Sequence, residues 1–240
     1  MRGITQVIGV ELKLIVRDPM SAFFALAFPT VMLWVKLRTG KPLPGGLPSV
    51  DANVPMLTIF VIGMATLVIL PATLAQYRER LVLKRLRATP ASPGMLFGAQ
   101  LAAHVLLAVL GTALIIAVGA IGYGLSSPAS VGAVVAAWLL AALSLSGIGL
   151  LLAAVVPSGR TATVLGLALF FPMVFISGAV IPFESMGGAM KSIGGMTPMA
   201  PAVETIRAAW EGQALSPVSM AVMLGICLVS GGIAIKAFRW

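Results

Sequence analysis

Six long apolar stretches restrict what this chain can fold into more than any other feature. They run from Met20 to Leu37, Val54 to Ala75, Met95 to Gly122, Val131 to Val156, Thr161 to Ile181 and Val218 to Phe238. A bilayer core about 30 Å thick needs roughly 20 apolar residues per helical crossing. Hydrophobic residues make up 59% of the chain and charged ones 10%, against about 45–50% and about 25% in soluble domains. Lipid rather than water is therefore the solvent for most of the surface. The expectation is an all-α, polytopic integral membrane protein with six transmembrane helices, residues 20–240 forming one membrane domain. Pro29, Pro71 and Pro172 lie inside three of the runs and predict kinks, because neighbouring helices can satisfy the freed carbonyls.

The residues before the first run carry a second pattern. Ile4, Val7, Ile8, Leu12 and Ile15 share one face of a helix, and Gln6, Lys13 and Arg17 lie opposite, as in an amphipathic helix lying in the headgroup layer. Arg17, Asp18 and Pro19 then bend the chain, since a residue before proline is pushed out of the helical region. Residues 1–19 thus read as a cytosolic amphipathic elbow leading into the first span, with no small-residue cleavage pattern before it. Glu11 sits near the middle of the apolar face, and either rotates to water or pairs with a cation of another cytosolic segment. Cys227 is the only cysteine, which excludes an intrachain disulfide.

Basic residues mark the two sides. With a cytosolic N-terminus, the inner side holds Arg2, Lys13, Arg17, Arg78, Arg80, Lys84, Arg85, Arg87, Arg160, Lys236 and Arg239, and the outer side Lys36, Arg38, Lys41, Lys191 and Arg207. This bias places both termini in the cytosol. It also accounts for the net charge of +9 without a nucleic-acid partner, and the basic cluster lacks the interleaved aromatics that would stack bases.

That cluster lies in YRERLVLKRLRATPASP, residues 77–93, within a cytosolic connection spanning 76–93. Drawn as a helix from Gln76 to Ala88, it gathers Val82, Leu83 and Leu86 in one sector and Arg80, Lys84 and Arg87 in another. Thr89, Pro90, Ser92 and Pro93 stop it. Anionic lipid would attract such a loop by charge alone. The leucine stripe, the embedded Glu79 and the Thr-Pro-x-Ser-Pro stop favour docking onto a protein. On the other side, residues 182–217 carry two helical pieces, around Met186 to Ile193 and Ala200 to Trp210. Their apolar content predicts a re-entrant or capping segment, with an ordinary surface loop as the alternative.

No catalytic, cofactor or metal-binding set emerges. A phosphate-binding G-x-x-x-x-G-K-[ST] loop is missing, since Gly40-Lys41 runs into Pro42. Leu145-Ser146-Gly147 falls inside the fourth span, where small residues let helices approach closely. Gly124-Leu125-Ser126-Ser127-Pro128 lacks the final glycine of a serine nucleophile turn. His104, the only histidine, falls mid-span, and no span holds a carboxylate, which argues against proton-coupled transport.

Taken together, the motifs resemble the membrane subunit of ABC exporters of the daunorubicin-resistance and polysaccharide-export type. Arg78-Glu79-Arg80-Leu81 followed by Lys84-Arg85-Leu86-Arg87-Ala88-Thr89-Pro90 is similar to that family's Arg-Glu-x-Gly-x-x-x-Arg-Leu-x-x-Thr-Pro, with Leu81 where glycine is usual. Arg17-Asp18-Pro19, Ser177-Gly178 with Pro182, Thr197-Pro198 and Glu204-x-x-Arg207 agree with it in order. The resemblance implies that Arg78, Glu79, Arg80, Leu83, Lys84, Arg85, Leu86, Arg87, Thr89 and Pro90 form a coupling helix seated on a separate ATP-binding subunit. The elbow, with Glu11, Arg17, Asp18 and Pro19, would lie beside it. It further implies pairing with a second permease copy or a paralogue in the plasma membrane. ATP and Mg would be held by the partner subunit, with no cofactor on this chain. The cargo would be an amphiphile, such as a drug-like or antibiotic molecule, a lipid or a lipid-linked glycan, and multidrug resistance one outcome. His104, Phe171 and Phe175 are candidates for the substrate path, with interhelical bonding and packing as their plainer roles. The contrasting reading is a non-transporting scaffold whose basic loop binds anionic lipid.

Overall fold

A computed structural model describes Gly9 and residues 18–39, 49–81, 93–181 and 186–237, and over these the chain is helical without a strand. The expected amphipathic helix, with Glu11 and Arg17, falls outside the described residues apart from Gly9. Helix α1 covers residues 19–39, α2 residues 49–79, α3 Pro93–Tyr123, α4 Val131–Val155, α5 Gly159–Ile176, α6 Gly188–Gly195, α7 Ala200–Glu211 and α8 Pro217–Ala237. Five of them, α2, α3, α4, α5 and α8, are long and apolar enough to cross a membrane. At 1.5 Å per residue, the 31 residues of α3 extend about 46 Å, enough to cross the core with room to tilt.

The prolines explain two irregularities. Proline lacks an N–H, and its ring crowds the carbonyl four residues back in a regular α-helix. Helix α1 widens into a π segment at Phe23–Ala27, just before Pro29, and α2 does so at Met64–Ile69, just before Pro71. There the Phe28 N–H bonds Phe23 O and the Leu70 N–H bonds Ala65 O, five residues back. This wider turn gives each ring room. By contrast, α5 stays α-helical through Pro172.

Neighbouring helices use these same places. A Cβ on Gly111 of α3 would stand 2.6 Å from Ala25 O, and one on Gly166 of α5 would stand 2.6 Å from Leu67 O. Ala25 and Leu67 are the residues four before Pro29 and Pro71. A Cβ on Gly149 of α4 would collide with Thr66 O. In lipid, helices associate by close packing rather than by a hydrophobic drive, and small residues permit it.

Helix α2 therefore forms the centre. It is almost wholly buried and packs against α1, α3, α4, α5 and α7, as its apolar character all round requires. Helices α3, α5 and α8 are buried along only a third or less of their crossing segments, which presents Leu110, Leu169, Leu228 and Ile235 to lipid. An aromatic chain ties α1 to α5 through α2, with ring centroids 5.5 Å apart for Phe28–Phe60 and 5.0 Å for Phe60–Phe170.

The fifth apolar run was expected to stay helical to Ile181, but α5 ends at Ile176. Gly178 has φ +91°, a left-handed value that favours glycine, and residues 177–180 continue as buried irregular chain. Lys36 of α1 donates from Nζ to Val180 O at 2.6 Å. Arg38 lies over the Trp34 ring, 4.7 Å from its centroid. At this same end, Asp51 accepts from the Ser126 N–H at 2.8 Å and from Ser126 Oγ at 2.9 Å.

Candidate coupling site

The opposite end of the bundle brings together the last turn of α2 and the short turn between α4 and α5. The sequence predicts a helix from Gln76 to Ala88. In the structure Gln76 to Glu79 belong to α2, and the chain turns at Arg80 and Leu81. The Arg80 N–H bonds Gln76 O at 2.9 Å and the Leu81 N–H bonds Arg78 O at 3.1 Å. Leu81 has φ +55°, so the position where glycine is usual keeps a glycine-like bend. A leucine there costs about 1–2 kcal/mol.

Arg78 and Glu79 are adjacent and reach opposite sides of the α4–α5 turn. Arg78 Nη1 donates to Ala154 O at 3.0 Å, while Glu79 Oε2 accepts from the Gly159 N–H at 3.1 Å. A cation thus meets the carboxyl end of α4 and an anion the amino end of α5, each on the side the helix dipole favours. Ser158 completes the start of α5, its Oγ accepting from the Thr161 N–H at 3.2 Å. Gly159 lies so close to α2 that a Cβ would overlap the Gln76 side chain. The ends of α2, α4 and α5 therefore form one bonded unit.

The ten positions expected to couple divide accordingly. Arg78 is half-buried and Glu79 exposed, both bonded to the α4–α5 turn, and Arg80 is exposed beside Leu81. Leu83, Lys84, Arg85, Leu86, Arg87, Thr89 and Pro90 lie outside the described residues. Of the elbow, Asp18 and Pro19 are exposed, and the Asp18 carbonyl accepts from the Ala22 N–H at 3.0 Å. The fifth apolar run begins at Thr161, whereas α5 begins at Gly159, and Ala154, Ser158 and Gly159 belong to this site without being named by the motif. Ser158 ahead of an apolar run was the available signal for a helix cap.

The candidates for a substrate path separate as well. His104 is fully buried, and its Nδ1–H donates to Gln100 O at 2.8 Å, one turn back on α3. Phe171 and Phe175 stack at 6.4 Å between centroids, and Phe175 is 43% exposed on the outside of α5. Glu204 and Arg207, adjacent turns of one motif, take different partners: Glu204 accepts from Ser219 Oγ and Arg207 pairs with Glu211.

A central helix enclosed by apolar helices of membrane-crossing length, with a charged clamp at one end, defines a multi-pass helical membrane protein. The chain belongs to the ABC-2 type transporter family, which it matches over residues 3–210. It is the membrane permease of an ABC transporter, a transport subunit of the kind that works with an ATP-binding subunit. No curated protein gives a match.

Proposed function

We propose that this permease exports an amphiphile, driven by a separate ATPase subunit that docks on residues 80–90. The observation that carries the proposal is the double tether of Arg78 to Ala154 and Glu79 to Gly159. A push received by the loop cannot move α2 alone, because the same residues hold the ends of α4 and α5. Arg80, Lys84, Arg85 and Arg87 supply charge for the partner, Leu83 and Leu86 supply apolar contact, and Thr89-Pro90 ends the element.

In this reading α1 is a sixth span. Its residues 19–39 extend about 32 Å, and Lys36 and Arg38 reach the polar zone at its end. Both termini are then cytosolic, as the basic residues favour. The pathway forms with a second copy or a paralogue. The apolar, half-exposed Trp34 of α1 and Phe175 of α5 suit either that partner or an apolar cargo.

The test is co-purification with the ABC ATP-binding subunit of the same cell. Arg85→Glu combined with Arg87→Glu is expected to abolish both the association and the stimulated ATP hydrolysis while the permease elutes as a folded species. Undiminished association of the double variant would overturn the coupling assignment and favour lipid anchoring.

A further inference from the structure

At the end of the bundle away from the coupling site, α6, α7 and the first turns of α8 enclose a cavity of about 720 Å³. This is within the range of about 300–1,000 Å³ typical of small-molecule sites. Its wall changes character with depth. Lys191, Glu204, Arg207 and Glu211 line the polar part, and Val222 and Ile226 of α8 line the apolar part. From Val218 to Ile226 the wall runs about 12 Å along α8.

The charges of this cavity are unevenly satisfied. Arg207 Nε bonds Glu211 Oε1 at 2.8 Å and Gln213 Nε2 bonds Glu211 Oε2 at 2.7 Å, so that carboxylate is matched within α7 and the turn after it. Glu204 accepts one bond, from Ser219 Oγ at 2.6 Å. Among the described residues neither Glu204 nor Lys191 has an ion pair, and they do not pair with each other. One exposed cation and one exposed anion thus line the same amphipathic cavity, and among the described residues neither forms an ion pair.

A single ligand matches both when it carries a negative and a positive group a few ångströms apart above an apolar tail. We propose that the cavity binds a zwitterionic glycerophospholipid whose cation bears N–H donors, phosphatidylethanolamine being the bilayer lipid of that chemistry. Its phosphate faces Lys191, its ammonium donates to Glu204, and an acyl chain follows Val222 and Ile226. Charge-assisted bonds to an ammonium need N–H groups, which choline lacks. A quaternary ammonium is instead recognised by aromatic faces, and among the described residues no Phe, Tyr or Trp lines this cavity. An anionic lipid would match Lys191 and leave Glu204 without a cationic partner.

The test uses the full-length permease in nanodiscs containing equal amounts of phosphatidylethanolamine, phosphatidylcholine and phosphatidylglycerol of identical acyl chains. Lipids retained on the released protein are counted by native mass spectrometry. Phosphatidylethanolamine is expected to be retained about tenfold over each of the others, the discrimination that one good polar contact supplies. Glu204→Gln should bring its ratio to phosphatidylcholine near one, and Lys191→Gln should lower retention of all three. Val222→Trp, at an exposed position of α8, fills the apolar part and should remove retention, with circular dichroism and elution volume reporting the fold. Equal retention of the three lipids, preference for phosphatidylglycerol, or an unchanged preference in Glu204→Gln would each overturn the proposal. The readout involves no ATPase, so its failure and that of the export reading are separable.

Discussion

At the end proposed to couple, two consecutive side chains clamp a three-residue turn between α4 and α5, whereas at the other end α6 and α7 fill the gap between α5 and α8. The first arrangement is stiff, because short links and charge-assisted bonds leave little freedom to the helix ends. The second leaves a cavity in which, among the described residues, Lys191 and Glu204 form no ion pair. Stiffness suits an end that receives force, and an incompletely satisfied cavity suits one that receives a ligand. Between them lies the π segment of α2, against which Gly149 and Gly166 pack.

The most severe way to break the contrast is through that shared middle. Gly149→Leu forces α4 away from Thr66 O, and overpacking of this kind costs about 3 kcal/mol. The expected result is loss of monodisperse protein in detergent and of both ATPase association and lipid retention. Loss at one end alone would mean that the two ends do not depend on a common packing centre.

Glu79→Gln acts on one end. It removes the charge at the start of α5 at a cost of about 0.3–1 kcal/mol, and ATPase stimulation should fall severalfold with phosphatidylethanolamine retention unchanged. Parallel loss of both readouts would erase the distinction between the ends. The smallest effect belongs to Leu81→Gly. The leucine is half exposed with φ +55°, so relief of its backbone, less the added chain entropy of glycine, should raise stability by at most about 1 kcal/mol. A destabilised variant would show that the side chain contributes contacts that outweigh the strain.

Much of the fold was legible because apolar length and turn chemistry are local properties. Helices α3, α4 and α8 end within two residues of the apolar runs that predict them, and the two helices of the 182–217 segment fall near their expected places. Helix α2 exceeds its run at both ends, because Ser49 to Asn53 and Gln76 to Glu79 continue its hydrogen bonding past the apolar limit. The Arg78-Glu79 motif is recognisable as a string of residues, but the bonds of Arg78 and Glu79 to the α4–α5 turn are not. Their partners are a carbonyl and an amide some 76 and 80 residues away, and every residue carries such groups.

The sequence by itself determined that the chain lives in lipid and that it is helical, because transfer free energy and helical periodicity depend on residue identity summed over short windows. Tertiary structure alone decided that α2 is the centre, that glycines of three helices meet the carbonyls of the two π segments, and that Lys191 and Glu204 line one cavity without pairing. Those outcomes depend on the distance between groups far apart in the chain, which composition and periodicity do not encode.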